Sequence, residues 1–294
     1  MLRNCIIFVQ YLYRFGNMAK VAQFIKRIEI ESLWSGRKHI VWDLDREVNV
    51  LSGANGGGKS TIINRLLDVL RKKSDDRGYV NGDIPGVTVE FEPEDATTAR
   101  FDIVRSLDNR MVSGNVMDRI DDREVRSELD WVLYELQRRY LDYQVNIGNK
   151  MIALLSSDDE NSRQAAMDVS KPKTLFQDMV DDLFKDTQKK IDRNSNMLQF
   201  LQYGEKLSPY ILSAGEKQLL VILLTVLLEE NKEYVLLMDE PESSLHVEWQ
   251  QRLVDIIRQL NPNAQLILTT HSPAVIMNGW LDAVTDVKDI TVNE

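Results

Sequence analysis

The stretch that most constrains this chain runs from Asn49 to Thr61 and reads Asn-Val-Leu-Ser-Gly-Ala-Asn-Gly-Gly-Gly-Lys-Ser-Thr. From Gly53 to Ser60 it satisfies G-x-x-x-x-G-K-[ST] at every defined position. Val48, Val50 and Leu51 precede the glycines as a short buried strand would. Ile62, Ile63, Leu66, Leu67 and Leu70 follow at helical spacing. Strand, glycine loop and helix, in that order, build an anion cradle. Glycines let consecutive backbone N–H groups turn inward, and the helix start adds unpaired amides and the positive end of its dipole. The pattern predicts a bound nucleoside triphosphate, with Asn55, Gly56, Gly57, Gly58, Lys59, Ser60 and Thr61 around its phosphates. Lys59 reaches the β- and γ-phosphates as a point charge, and the Ser60 hydroxyl is placed to ligate Mg²⁺.

Composition narrows the setting. A chain of 294 residues with 43% hydrophobic content can bury a large core, as one α/β domain or as a core with an insertion. The formal charge of −10 argues against a basic protein that coats nucleic acid, but not against a local basic groove. Cys5 is the single cysteine, which precludes an internal disulfide and suits a reducing, cytoplasmic setting. No run approaches the ~18–20 apolar residues that cross a membrane, so no membrane partner is expected. The apolar stretch from Cys5 to Val9 is short, has no small-residue cleavage site and leads to a second methionine, Met18, which favours an N-terminal extension over residues 1–20, or an upstream start codon, over a signal peptide.

The fold is expected to begin near Val21. Residues Phe24 to Ile30 alternate as a half-buried strand, Ser35-Gly36 marks a turn, and Ile40 to Val50 reads as a strand pair feeding the loop. Between them stand Trp34, Arg37, Lys38 and His39; the tryptophan either contacts the nucleotide or anchors a surface turn. The basic cluster Arg71 to Gly78 suits the C-terminal end of the loop helix. Val87 to Phe91 and Phe101 to Val104 read as further strands, which takes the first part of the core to about residue 115.

From about 116 to 205 the chain is polar and mostly helical in pattern, and is read as an inserted helical subdomain. Leu129, Val132, Leu133, Leu136, Tyr140 and Tyr143 form one stripe, and Leu175, Met179, Val180, Leu183 and Phe184 another. Ser156 to Ser170 reads as a soft connector between helices too short for long coiled-coil arms. The core pattern resumes over 206–294. Leu219 to Leu228 is apolar on nearly every face, and two apolar strands, Tyr234 to Met238 and Gln265 to Thr269, flank a helix carrying Leu253, Ile256, Ile257 and Leu260. Alternating strands and helices imply an α/β core with a largely parallel sheet and ligands at the strand ends.

Three more motifs carry chemistry. Asp239 follows the apolar strand and is placed to hold Mg²⁺. Glu240, next in line, is the candidate to deprotonate an attacking water. His271, after the next strand, is the candidate γ-phosphate sensor. Ser213 and Gly215 open the buried helix and make a second anion site.

With the phosphate loop, these residues resemble the ABC-type ATPase superfamily: Leu212-Ser-Ala-Gly-Glu216 corresponds to its signature, Asp239-Glu240 to its second acidic motif and His271 to its switch histidine. The spacing agrees, with roughly 150 residues from loop to signature and about 25 more to Asp239. The wording Asp239-Glu-Pro-Glu-Ser-Ser-Leu-His246 and Thr269-Thr-His-Ser-Pro273 is most similar to the non-transporter RecF/SMC-like and OLD-like branch of stand-alone ATPases. The resemblance covers about residues 21–105 and 205–280 and implies a P-loop NTPase fold with a mixed-sheet core. It also implies ATP and Mg²⁺ as cofactors, hydrolysis of the β-γ bond, and catalytic roles for Glu240, His271 and Lys59. Two protomers would sandwich two ATPs, with Ser213 and Gly215 on the partner's γ-phosphate and the loop from Ser243 to His246 along the seam. A glutamine should complete the Mg²⁺ shell, for which Gln137, Gln144 and Gln199 are the candidates. Glu216 departs from the glutamine of transporters.

The expected function is an ATPase whose nucleotide-driven dimer, or higher oligomer, gates a DNA-associated activity in genome maintenance or phage defence. The short stretch after His271 has no length for a nuclease domain, so the effector is expected on a separate chain. Two alternatives stand beside it: a transporter's nucleotide-binding subunit, against which Glu242, Leu245 and His246 argue, and an ATP-sensing scaffold with little turnover.

Overall fold

A computed structural model describes residues 20–34, 38–73, 84–105, 125–157 and 161–292. The expected N-terminal extension, the Ser35-Gly36 turn, Arg37, the basic stretch beyond Lys73 and the start of the insertion near 116 lie outside the described residues. In chain order the elements are β1 (Val21–Ala22), β2 (Phe24–Leu33), β3 (Lys38–Asp43), β4 (Val48–Ser52), α1 (Lys59–Lys73), β5 (Val87–Glu92), β6 (Thr98–Ala99) and β7 (Phe101–Arg105). Next come α2 (Glu128–Leu155), α3 (Ser162–Leu183), β8 (Lys189–Ile191), β9 (Phe200–Gln202), β10 (Glu205–Leu207) and α4 (Ala214–Leu228). The chain closes with β11 (Tyr234–Asp239), α5 (Val247–Leu260), β12 (Ala264–Thr269), α6 (Pro273–Ile276), β13 (Val284–Asp286) and β14 (Thr291–Val292). The described residues of 1–105, 232–242 and 263–294 pack as one unit, and those of 106–231 and 243–262 as another.

The first unit holds a five-stranded sheet in the order β13-β4-β12-β11-β7, parallel at every pairing. Strands β4, β11 and β12 are buried along nearly their whole length, which is why their sequences are almost continuously apolar rather than alternating. A second sheet, β14-β3-β2-β5, is antiparallel throughout, and β5 shows the alternation of a strand with one wet face. Ile62, Ile63, Leu66, Leu67 and Leu70 of α1 share one core with β2, β3, β5, β11 and β12, as the helical spacing predicts. One buried polar residue ties the layers, and a second pins the loop that leads into β4. Gln265 of β12 accepts from Ile25 N at 2.8 Å and donates to Ile25 O and Asp45 O, while Asn49 of β4 pairs with the backbone of Asp45. Such bonds between sheets set one register, since an amide buried in that core has to find its partners.

The second unit is built on α2, α3, α4 and α5. The stripe Leu129, Leu133, Leu136, Tyr140 and Tyr143 is buried on α2, and α4 is buried from Gln218 to Leu227, as expected for a helix apolar all round. Two expectations are corrected. The connector spans only a few residues, because α3 begins at Ser162: Asp168 accepts from Gln164 at 3.0 Å and pairs with Lys171 at 2.6 Å, helix-spaced contacts that outweigh the serine-rich look of the stretch. The segment read as helical also contains a sheet, β10-β9-β8. Gln202 pairs with Glu205 across Tyr203 and Gly204, both at positive φ (52° and 86°), the two-residue turn that closes a tight hairpin. Strands of three residues carry no readable period, so the pattern hid them. Among the described residues, no helix is long and apolar enough to cross a membrane.

Candidate active site

The phosphate loop connects the C-terminal end of β4 to the start of α1. Gly53, Gly56 and Gly58 hold φ of 143°, 73° and 104°, values that side chains with a Cβ rarely adopt. Gly57 donates its amide to Ala54 O at 3.0 Å, and a Cβ on Gly57 would sit 2.8 Å from that same oxygen. The loop is therefore shaped in advance. Lys59 is buried, and its ammonium donates to Gly53 O at 2.9 Å and Ala54 O at 3.2 Å; no carboxylate pairs with it among the described residues. A buried cation held by carbonyls alone suits an incoming anion.

Parallel pairing of β4, β12 and β11 brings the ends of three strands together. The Ser60 hydroxyl donates to Asp239 Oδ1 at 2.9 Å, and the Thr269 hydroxyl donates to the same oxygen at 2.6 Å. Thr269 Oγ1 in turn accepts from Glu240 N at 3.1 Å, so one hydroxyl fixes both acidic residues. Glu240 has φ of 50°, a left-handed backbone for a non-glycine residue that costs about 1–3 kcal/mol. Its Oε1 lies 3.1 Å from His271 Nε2. Trp34, Gly56, Gly57, Gly58, Lys59, Ser60, Thr61, Glu240 and His271 line one cavity of about 220 Å³. Asn55 is exposed at the loop's tip.

This donor set fits a magnesium nucleotide. A hydroxyl and a carboxylate in contact match a Mg²⁺ site that takes its remaining ligands from phosphate and water. The cavity offers backbone amides, a buried ammonium and, beyond them, a carboxylate–imidazole pair.

Trp34 was an open question. Its ring packs on the loop, since a Cβ on Gly58 would meet the indole at 3.2 Å; it is 42% exposed and lies 5.1 Å from Lys38 Nζ. The residue both walls the cavity and rests on the glycine. His39 is engaged elsewhere, 2.9 Å from Glu29. Sequence reasoning missed Thr269 as the joint between the acidic residues, and treated Glu242 only as a departure from transporter wording. Glu242 is buried and receives the Thr270 hydroxyl and the His271 amide. A polar residue closing an apolar strand, as Thr269 closes β12, is the signal that was available.

Ser213 and Gly215 sit in the second unit. Ser213 caps α4: its hydroxyl accepts from Glu216 N at 3.3 Å and its own amide donates to Glu216 Oε2 at 2.9 Å, a closed capping box. Lys189 of the small sheet donates to both Glu216 oxygens, at 2.7 and 2.9 Å, and the Thr187 hydroxyl adds a bond at 3.1 Å. Burial pushes the Glu216 carboxyl up, but Lys189 and the Ser213 bonds together outweigh it and hold the group below its ordinary range. Gly215 has a packing reason of its own, because a Cβ there would run into the carbonyl of Ser244. Of the candidate glutamines, Gln137 donates to the Tyr210 hydroxyl and Gln144 donates to Asn196 O and receives Lys173, all inside the second unit.

Comparison with known proteins follows these residues. Over 188 residues, 59% of this chain and 35% of the relative, the sequence is 27% identical to "Retron Vc95 probable ATPase" of Vibrio cholerae serotype O1 biovar El Tor. Over 47 residues, 16% of this chain and 12% of the relative, it is 38% identical to "Septu protein PtuA" of Bacillus thuringiensis. The chain thus spans well under half the length of either relative. A solved Smc head bound to the C-winged helix domain of ScpA aligns over 87% of this chain and 91% of that one, at 14% identity and a TM-score of 0.47. A nucleotide-free ATP-binding cassette of an ABC transporter aligns over 87% and 85%, at 15% identity and a TM-score of 0.38. The family model described as "AAA domain, putative AbiEii toxin, Type IV TA system" matches residues 48–278, from the strand before the phosphate loop to beyond His271, and the chain belongs to that family of ABC-like ATPases.

Proposed function

We propose that this chain binds and hydrolyses ATP, and that two copies closing on two nucleotides gate a separate effector chain in phage defence or genome maintenance, with DNA as a candidate ligand of the assembly. The observation that carries the reading is the convergence of Ser60 and the Glu240–His271 pair on the cavity floored by the phosphate loop, with Asp239 bonded to Ser60 behind it. Relatives named for a retron and for Septu support the defence setting.

Bound Mg-ATP supplies a phosphoanhydride bond polarised by a divalent charge. The chain's residues do the rest. Lys59 exchanges its two carbonyl partners for phosphate oxygens, and the amides of Gly56 and of Gly58 to Thr61 donate to the others, while that of Gly57 stays on Ala54 O. Ser60 and Asp239, now bonded to each other, would hold the cation. Glu240 accepts the proton of the attacking water, and His271, in reach of Glu240, orients that carboxylate and the terminal phosphate. Trp34 offers a flat apolar wall to the nucleotide. Ser213 and Gly215 of a second copy complete the site, which makes hydrolysis a timer for opening.

Titration calorimetry with Mg-ATP and a phosphate-release assay test the reading. The wild-type protein is expected to bind and turn over ATP, and Glu240→Gln to bind it while losing turnover by about 10²–10⁴-fold. A Glu240→Gln protein that hydrolyses like wild type overturns the catalytic assignment.

A further inference from the structure

We propose that Glu242, acting with Thr270, is a positioning residue that fastens the turn carrying His271 to the loop carrying Glu240. The inference rests on the roles given above to Glu240 and His271, and extends them to residues outside the cavity lining.

Glu242 leaves β11 two residues after Glu240, across Pro241, whose ring fixes its own φ. Its side chain is buried, at 5% exposure, in a place where carboxylates are rare unless they are well bonded. Oε1 accepts from the Thr270 hydroxyl, from His271 N at 3.0 Å and, at the longer distance of 3.4 Å, from Ser272 N. Ser272 N also donates to Thr270 Oγ1 at 3.0 Å. One carboxylate oxygen therefore gathers the donors of three successive residues at the end of β12. Ser272 then caps the short α6 through Ala274 N at 3.2 Å.

The other side of the same joint is also fastened. Glu240 N donates to the carbonyl and to the hydroxyl of Thr269, at 3.2 and 3.1 Å. The β11 loop and the β12 turn are thus linked in both directions. Thr269 holds the backbone of Glu240, and Glu242 holds the backbone of His271. Between these two links the His271 imidazole, itself exposed, stands 3.1 Å from Glu240. An exposed side chain keeps such a geometry only if its backbone is set, and the buried carboxylate sets it. Turn residues 270–272 would otherwise have to satisfy their donors in water, with the histidine free to swing.

A purely structural Glu242 would stabilise the turn with no bearing on the histidine's work, so the test separates the two. Glu242→Gln keeps the shape and an acceptor but loses the charge; Thr270→Val removes the hydroxyl and serves should the first variant fold poorly. In nucleotide-free protein, amide exchange across residues 270–272 should quicken about tenfold or more in either variant, because the clamp is what closes that turn. Turnover should fall about ten- to a hundredfold while the dissociation constant for Mg-ATP stays within about threefold, since the phosphate loop is untouched. In a His271→Ala background Glu242→Gln should cost less than about twofold more, as expected for residues acting through one another. Wild-type exchange and turnover in both variants, with His271→Ala inactive, overturns the clamp and leaves the histidine's role standing. Additive losses in the double variant overturn it as well. Wild-type turnover in His271→Ala overturns the role of the histidine, and the exchange measurement then still reports whether the clamp exists.

Discussion

Two helix starts in this molecule are expected to meet phosphate, and they are built in opposite ways. The start of α1 in the first unit is a hollow: glycines at positive φ, a Cβ-free approach at Gly57, and a buried ammonium resting on carbonyls. The start of α4 in the second unit is filled. Ser213 and Glu216 satisfy each other's amides, and Glu216 is itself neutralised by Lys189. The first start holds its donors ready for a ligand, whereas the second has spent them on its own cap. In the proposed clamp this difference divides the labour: the loop binds nucleotide in a lone protomer, and the signature adds its contacts only when a second copy presses it onto a nucleotide already bound.

The largest effect that tests this contrast is on the filled side. Lys189→Met leaves the Glu216 carboxylate buried without its cation and should cost the second unit about 3–5 kcal/mol, read by thermal or denaturant unfolding. Adding Glu216→Gln should recover most of that, because it restores a neutral pair; a double variant as weak as the single one would break the contrast. On the hollow side, Lys59→Met should weaken Mg-ATP binding at least about a hundredfold in calorimetry, with little change in unfolding. Ser213→Ala should cost only about 1 kcal/mol of stability through the lost cap, yet remove ATP-driven association. Normal association in that variant would separate the cap from the proposed signature.

The smallest effect is on pH. The Glu216 carboxyl and that of Asp130, which caps α2 with Ser127 and lies 2.7 Å from Lys217, are both pushed up by burial, but their lysine partners and capping bonds prevail and hold them below the ordinary values of 4.5 and 3.8. A depressed folded-state value means that the unfolded chain takes up the proton first on acidification. The stabilisation is therefore fully present above those ordinary values and is lost as pH falls through the lower folded-state ones. Unfolding of the second unit followed from pH 6 down to 3 should show this loss, and it should shrink in the Lys189→Met, Glu216→Gln protein.

The same two regions explain what could be read from the sequence. The hollow was legible because its chemistry demands residue types at fixed spacing: glycines, a lysine and a serine between an apolar strand and an amphipathic helix. Asp239, Glu240 and His271 were legible as polar residues ending apolar strands. The filled side was not. Lys189 and Glu216 are far apart in sequence, and a lysine in a three-residue strand looks like any surface cation. The stripe from Leu175 onward marked the second half of α3, but its first turns hid behind the serines of the expected connector, and the β9–β10 hairpin behind a Tyr-Gly turn without flanking alternation. Glu242 lay in plain view within Asp-Glu-Pro-Glu, but its partners come from the neighbouring strand end, which only the parallel pairing of β11 and β12 reveals.

The central claim is that ATP draws two copies together, and the mass of the Glu240→Gln protein by light scattering, with and without Mg-ATP, tests it most directly. The account predicts a shift from a monomer to a dimer or larger assembly that needs nucleotide and disappears when Lys59 is replaced as well. A protein that binds Mg-ATP and stays monomeric would contradict it.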